Sequence, residues 1–516
     1  MNLRELTRAT FPTALLLAAL VGCTVGPDYT TPATSAPDGF SALTRQPNVE
    51  SKLESSPAQL AGWWKHLGDP TLDSLIERAI NGNLDLKIAT YRVREARAAR
   101  GVVASRNLPD VNAAASYDRS RQSENISAFQ GGNFQQDADG TDLYQAGFDA
   151  FWELDVFGGI RRGVEAADAD VQASLEARRD VLISLLAEVA LNYVEVRSFQ
   201  KRTEIAIENV RIQQDSLSLS TARFEAGVVS ELDVAQAKAQ VESGKAAIPP
   251  LNSAYHGAVH RLGVLLGMPP TALLAELESP APIPSVPPSV AVGAPADLLR
   301  RRADIRRAER EVAAQTARVG VATADLYPKF TLVGSFGFQS AQFSDMFDMD
   351  SRAWSVGPGI RWSAFNGGRV RSLIAVQDAR MEQAILAYEQ TVLSSLEETE
   401  NAATRYSQEQ ARRDALRESV SANRRAVELA NFLYTSGVKD FLNVLVSQRA
   451  LFDSEEQLAQ SEQSVASNLI ALYKSLGGGW EAEELRWDSQ DRDPAAEVPA
   501  LHPVGEESKE PGPVAE

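Results

Sequence analysis

From Gly159 to Ala226 the chain runs 68 residues without a proline. As a single α-helix that stretch is about 100 Å long, far beyond what a globular domain accommodates. Leu182, Leu186, Val189, Tyr193 and Val196 step along it by four and three, the seam spacing of helices packed lengthwise. Gly227 breaks the run, and a return helix of roughly 37 residues extends to Leu266. A shorter helix, about 83 to 106, comes before. Asn107-Leu108-Pro109 ends it, because the residue before a proline avoids the helical region. The short and return helices together nearly match the long one, so stacked end to end they flank its whole length. These lengths describe a tube wall, not a compact globule.

The chain carries this pattern twice. "AARGVVASRNLPDVNAAASY" (98 to 117) aligns with "ARVGVATADLYPKFTLVGSF" (317 to 336), setting Pro109 on Pro328. "RFEAGVVSELDV" (223 to 234) aligns with "LYTSGVKDFLNV" (433 to 444), setting Gly227 on Gly437. "LGVLLGMPP" aligns with "LYKSLGGGW", setting Gly267 on Gly477. The second copy predicts helices over about 303 to 325, 366 to 436 and 440 to 475. Six segments follow: 1–22, 23–62, a first repeat over 63–268, a Pro-rich linker over 269–295, a second repeat over 296–480, and an acidic tail over 481–516. Residues 24 to 60, rich in Ser, Thr, Pro and Ala, read as an unstructured tether, and the tail as disordered.

Between the helices lie segments of strict alternation. Phe330, Leu332, Gly334, Phe336 and Phe338 face one way, against Thr331, Val333, Ser335, Gly337 and Gln339. Trp354, Val356, Ile360 and Trp362 repeat the pattern, as do Tyr144, Phe148, Ala150 and Trp152, and Val111, Ala113, Ala115 and Tyr117. Each strand has the span of an outer-membrane strand, about ten residues. A half-buried soluble sheet alternates in the same way, so the N-terminus decides between them. Arg4 and Arg8 precede an apolar run, Phe11 to Val21, then Gly22: a secretory signal over 1–22, too short to span a bilayer. Leu20-Val21-Gly22-Cys23 resembles the bacterial lipobox, which implies that Cys23, the only cysteine in the chain, is lipidated and becomes the mature N-terminus. Thr24 follows it, where aspartate would imply inner-membrane retention. Four strands cannot close a barrel, and an open sheet edge is prohibitive in lipid, so copies must share one. Two copies give a filled bore; three give twelve strands and an aqueous channel. The loops 124–140 and 339–353 then lie outside the cell.

The net charge of −18 argues against nucleic acid as a partner. His256 and His260 lie at i, i+4, but Gly257 stands where a metalloprotease helix has glutamate, so no metal site is expected. Arg300, Arg301, Arg302, Arg306, Arg307 and Arg310 read as a helix face meeting acids or phospholipid. No phosphate loop, nucleophile elbow or cysteine–histidine constellation occurs, so neither an enzyme nor a cofactor is expected.

Several motifs in order resemble the outer-membrane factor family, the TolC-like exit ducts, in its lipoprotein branch of NodT and OprM type. They are "CTVGPDYTTP", "WWKHLGDPTLDSLIERAINGNLDLKIA", "WELDVFGGIRRG", "LLRRRADIRRAE", "FNGGRVRS", "NFLYTSGVKDFLNVLVSQRALFDSEEQL" and "SLGGGW", spanning roughly residues 20 to 480. The resemblance implies an α+β membrane protein: long antiparallel helical hairpins forming an α-barrel, and four strands per chain in a trimeric twelve-stranded β-barrel. It implies an outer-membrane channel passing drugs or other small solutes outward, with a periplasmic adaptor and an inner-membrane RND-type transporter as partners. A duct for type I protein secretion is the alternative. The hairpin turns at Gly227 and Gly437 are then the periplasmic tips that touch the adaptor. The family often has aspartate nine residues past the tip glycine. Here that position is Val446, which leaves Asp233, Asn443 and Arg449, with Val446 itself, as candidates for the gate. A second departure is Ala303, where the family usually has proline.

Overall fold

The computed structural model describes residues 24–34, 37–44, 47, 49–56, 60–121 and 140–481. The signal segment, Cys23, nearly all of the loop 124–140 and the tail from residue 482 lie outside the described residues.

Five elements recur in one order. The first set is α3 (Leu84–Ser105), β2 (Asp110–Ser120), β3 (Thr141–Leu154), α4 (Gly159–Glu225) and α5 (Glu231–Leu265). The second is α8 (Ala303–Ala324), β5 (Lys329–Ser340), β6 (Arg352–Arg361), α9 (Arg369–Thr435) and α10 (Phe441–Ser475). The long helices α4 and α9 have 67 residues each, the return helices α5 and α10 have 35, and α3 and α8 have 22. α3 and α5 both pack along α4, and α8 and α10 along α9, as the length match requires. Helix α4 also lies against α8 and α10, which joins the two sets into one wall.

Local chemistry sets the ends. The Asn83 side chain accepts from the Leu86 amide at 2.9 Å and starts α3. Asp69 accepts from the Thr71 amide at 2.9 Å, with Pro70 at the first position of α2 (Pro70–Gly82). Seam residues Leu182, Leu186, Val189, Tyr193 and Val196 are all buried. Around them the main core gathers Trp63, Leu72, Leu75, Ile76, Leu262 and Ile470, and Trp63 stacks on Tyr473 with ring centroids 5.3 Å apart. Pro249 and Pro250 lie inside α5, which continues through both. Proline removes a donor there, and both residues are exposed at the helix surface.

The segment read as an unstructured tether is ordered over its described residues. The Val25 amide donates to the Phe157 carbonyl at 3.3 Å, and Arg162 donates to Asp28 at 2.5 Å. Further on, α1 (Ser41–Thr44) begins where the Ser41 amide donates to Glu400 at 2.6 Å. β1 (Lys52–Glu54) pairs in parallel with β4 (Ser289–Ala291). The widely spaced Phe40, Val49, Leu53 and Leu60 are buried, anchoring the segment to the helical wall without any period of their own. The Pro-rich linker is also more structured than its composition predicts. It holds β4 and α6 (Leu274–Leu277), with Leu273 and Leu277 fully buried. Its backbone carbonyls take up helix side chains: Arg197 donates to Ser279 at 2.9 Å and Gln200 to Leu277 at 2.6 Å. After the linker comes α7 (Pro295–Arg301).

Candidate functional site

The four long strands form one antiparallel sheet in the order β2-β3-β5-β6. Its register sorts the side chains row by row. Tyr117 lies opposite Tyr144, and Ala113 opposite Phe148. Phe148 in turn lies opposite Phe336, which lies opposite Trp354. One face is therefore apolar from strand to strand, although Phe148, Phe336 and Trp354 are all exposed. The opposite face carries rows such as Asn112, Asp149, Ser335 and Ser355. Phe151 also belongs to this polar face, opposite Val333, and the alternation within its own strand gave no hint of an aromatic there. Among the described residues no helix is long and apolar enough to cross a membrane. The exposed apolar face is on the sheet instead.

At the far end of the helices lie the two glycine turns. Gly227 has φ of 71° and Gly437 of 72°, the left-handed region that glycine enters without a Cβ penalty. The Val228 amide donates to the Arg223 carbonyl and the Val438 amide to the Leu433 carbonyl, each at 2.9 Å, so both turns close as Schellman motifs. A small core of Ala237, Ala430, Tyr434, Phe441 and Val444 joins the hairpins to each other. Gln448 donates to Ser216 across the same seam at 2.8 Å. Of the gate candidates, Asp233 is half-buried in the first turn of α5. Asn443, Val446 and Arg449 lie at steps of three on α10, all exposed in the single chain. Asn443 donates to the Asp440 carbonyl at 3.2 Å.

The arginine run meets acids. Arg302 pairs with Asp304 at 2.7 Å and Glu398 at 2.8 Å, Arg306 with Glu176 at 2.7 Å, and Arg307 with Asp180 at 3.7 Å. Burial pushes the Glu176 carboxyl above its ordinary range, against the pull of Arg179 and Arg306. Trp480 lies under both arginines, 4.5 Å from the Arg179 guanidinium and 5.5 Å from that of Arg306, a contact that nothing near Trp480 in sequence announces. His256 and His260 have ring centroids 6.2 Å apart, and among the described residues no cluster of three or more metal-ligating side chains forms.

Comparison with known proteins matches this architecture. A family model described as outer membrane efflux protein matches residues 75–268 and 294–478. The pyoverdine export outer membrane protein OpmQ of Pseudomonas putida is 32% identical over 478 residues, covering 91% of this chain and 97% of OpmQ. Outer membrane protein OprJ of Pseudomonas aeruginosa is 31% identical over 470 residues, covering 91% of this chain and 95% of OprJ. The solved outer-membrane channel OprN superposes with a TM-score of 0.81 at 40% identity, covering 89% of this chain and 100% of that one. OprN is an outer-membrane channel, and OpmQ and OprJ are outer-membrane proteins, OpmQ one of pyoverdine export. With its exposed apolar sheet and long helical hairpins, the chain belongs to the outer membrane efflux protein family and is an outer-membrane efflux channel.

Proposed function

We propose that three copies of this chain close their twelve strands into one barrel that continues into a tube of helices. The assembly is the passive exit duct of a tripartite efflux pump. The observation that carries this reading is the sheet. Its apolar face is exposed along all four strands, and its edge strands β2 and β6 are each paired on one side only among the described residues, β2 with β3 and β6 with β5. In lipid each unpaired backbone group costs several kcal/mol, so the edges must meet other edges. Eight strands give a bore that side chains fill, whereas twelve leave room for water. The matching helix lengths of the two sets support an origin by duplication of one hairpin unit.

A lipid on Cys23 adds an anchor on the same side as the ordered segment at Val25 and Asp28. The hairpin turns at Gly227 and Gly437 meet a periplasmic adaptor, and an inner-membrane RND-type transporter supplies the energy. Asp233, Asn443, Val446 and Arg449 line the closing end. Cargo consists of drugs or other small solutes.

A density map of the full chain in lipid, together with its native mass, tests the assembly. Twelve strands about a threefold axis are expected. A dimer, or a monomer closing its own barrel, would overturn the proposal. Cross-linking of the tips to a co-expressed adaptor tests the partner; contacts confined to the barrel would reject the docking end.

A further inference from the structure

We infer that Asp149 and Phe151 form a selectivity point in the barrel lumen that favours cations with an apolar body over anions. The inference rests on the channel reading above, in which the polar face of the sheet meets water.

The register places Asp149 level with Asn112, Ser335 and Ser355 on that face, near mid-strand. Ser335 and Ser355 satisfy one another through their hydroxyls, 2.8 Å apart. Their neighbour's carboxylate is exposed. The next row on one side is Ala114, Gly147, Gly337 and Ala353, which carries no side chain larger than methyl. The next row on the other side is Asp110, Phe151, Val333 and Gly357. Neither row has a lysine or arginine to neutralise Asp149, and Asp110 adds to its sign. The basic residues of this face, Lys329 and Arg361, pair with each other in register at its helical end. Lys329 already lies 3.0 Å from Asp325 and 3.8 Å from Glu153.

Phe151 is two residues from Asp149 on the same face, about 7 Å along the strand. It is 45% exposed, as is Val333 opposite it. Asn112, Asp149, Phe151, Val333, Ser335 and Ser355 together line a shallow depression of about 340 Å³. A carboxylate one row from an exposed aromatic edge attracts a monocation through charge and holds an apolar substituent beside the ring. Three such points around one axis make a negative ring over an apolar one, and rings of charged side chains set ion preference in channels.

The test uses the full chain in lipid vesicles at low salt, carrying Ser335→Cys. The introduced thiol is labelled with a trimethylammonium or a sulfonate methanethiosulfonate, and the chain without this substitution serves as the blank. The cationic reagent should react faster. Adding Asp149→Asn should lower the cation-to-anion ratio about threefold or more, the effect of one charge about 6 Å away in water. An unchanged ratio overturns the role of Asp149. Tetraphenylphosphonium should slow labelling, and slow it less once Phe151→Ser is added; equal protection in the two chains overturns the apolar half. A thiol that reacts with neither reagent means the polar face meets no water. That result would defeat the channel reading itself, and the selectivity point with it.

Discussion

The guanidinium of Arg223 lies 4.7 Å from the ring centroid of Tyr434, so the last turn of α4 holds the last turn of α9 beside the two hairpin turns. Arg223 also donates to the Thr435 carbonyl at 3.1 Å, and the tyrosine is buried. Truncating the arginine removes a partly exposed cation–π contact, about 0.5–1 kcal/mol, while Tyr434→Ala empties a packed site at about 3 kcal/mol. Hydrogen exchange of the amides around Gly227 and Gly437 should rise in both variants, and more in Tyr434→Ala. Equal protection in all three chains would mean that the hairpins are held together elsewhere.

Gly437→Val should disturb the tip and spare the rest. A Cβ at Gly437 meets nothing within 4 Å, so the cost lies wholly in the backbone angle, about 1–3 kcal/mol for a β-branched residue at positive φ. Asparagine tolerates that angle, so Gly437→Asn should behave nearly as wild type. Trimer yield is expected to hold in both, while adaptor cross-linking and drug efflux fall in the valine variant only. Loss of the trimer before any loss of docking would contradict the assignment of this turn.

Cys23→Ser should leave the chain unlipidated and impair its processing, while the barrel still inserts through its own apolar face. Mass spectrometry of the mature N-terminus checks this. An unmodified Cys23 in the wild-type chain, or cleavage at another position, would refute the anchor.

Alkali should unfold the helical wall through its tyrosines. Burial, above all, pushes Tyr193 and Tyr406 up to about 12, with the Asp69 hydrogen bond adding to Tyr193; burial raises Tyr473 as well. A phenol with a raised folded pKa contributes its full stabilisation below an unfolded value near 10. That contribution is lost as the pH rises from about 10 to about 12. Phenolate absorbance read beside circular dichroism, with Tyr→Phe variants at the three positions, should show them ionising only as helix is lost. Ionisation near pH 10 with the helices intact would exclude this account.

The elements whose signals are local were legible in the sequence. Steps of four and three through Leu182, Leu186 and Val189 need only neighbours on the same helix, and they mark the same buried seam in the fold. Alternation from Phe330 to Gln339 needs only the pleat, and Gly227 and Gly437 announce their turns because few other residues adopt that angle. The ordering of the described residues within 24–60 was decided by surfaces far away in the chain: Glu400 for Ser41, Phe157 for Val25, Gln410 for Ser51. Trp480 becomes a clamp only where α4 and α8 bring Arg179 and Arg306 to it. Asp149 and Phe151 become neighbours of Ser335 and Val333 only through the β3–β5 register. The physical division follows from this. Periodicity records how a segment meets water and core, and the sequence carries it whole. Which distant group satisfies a given donor, or covers a given ring, depends on burial and pairing that exist only once the chain has closed on itself.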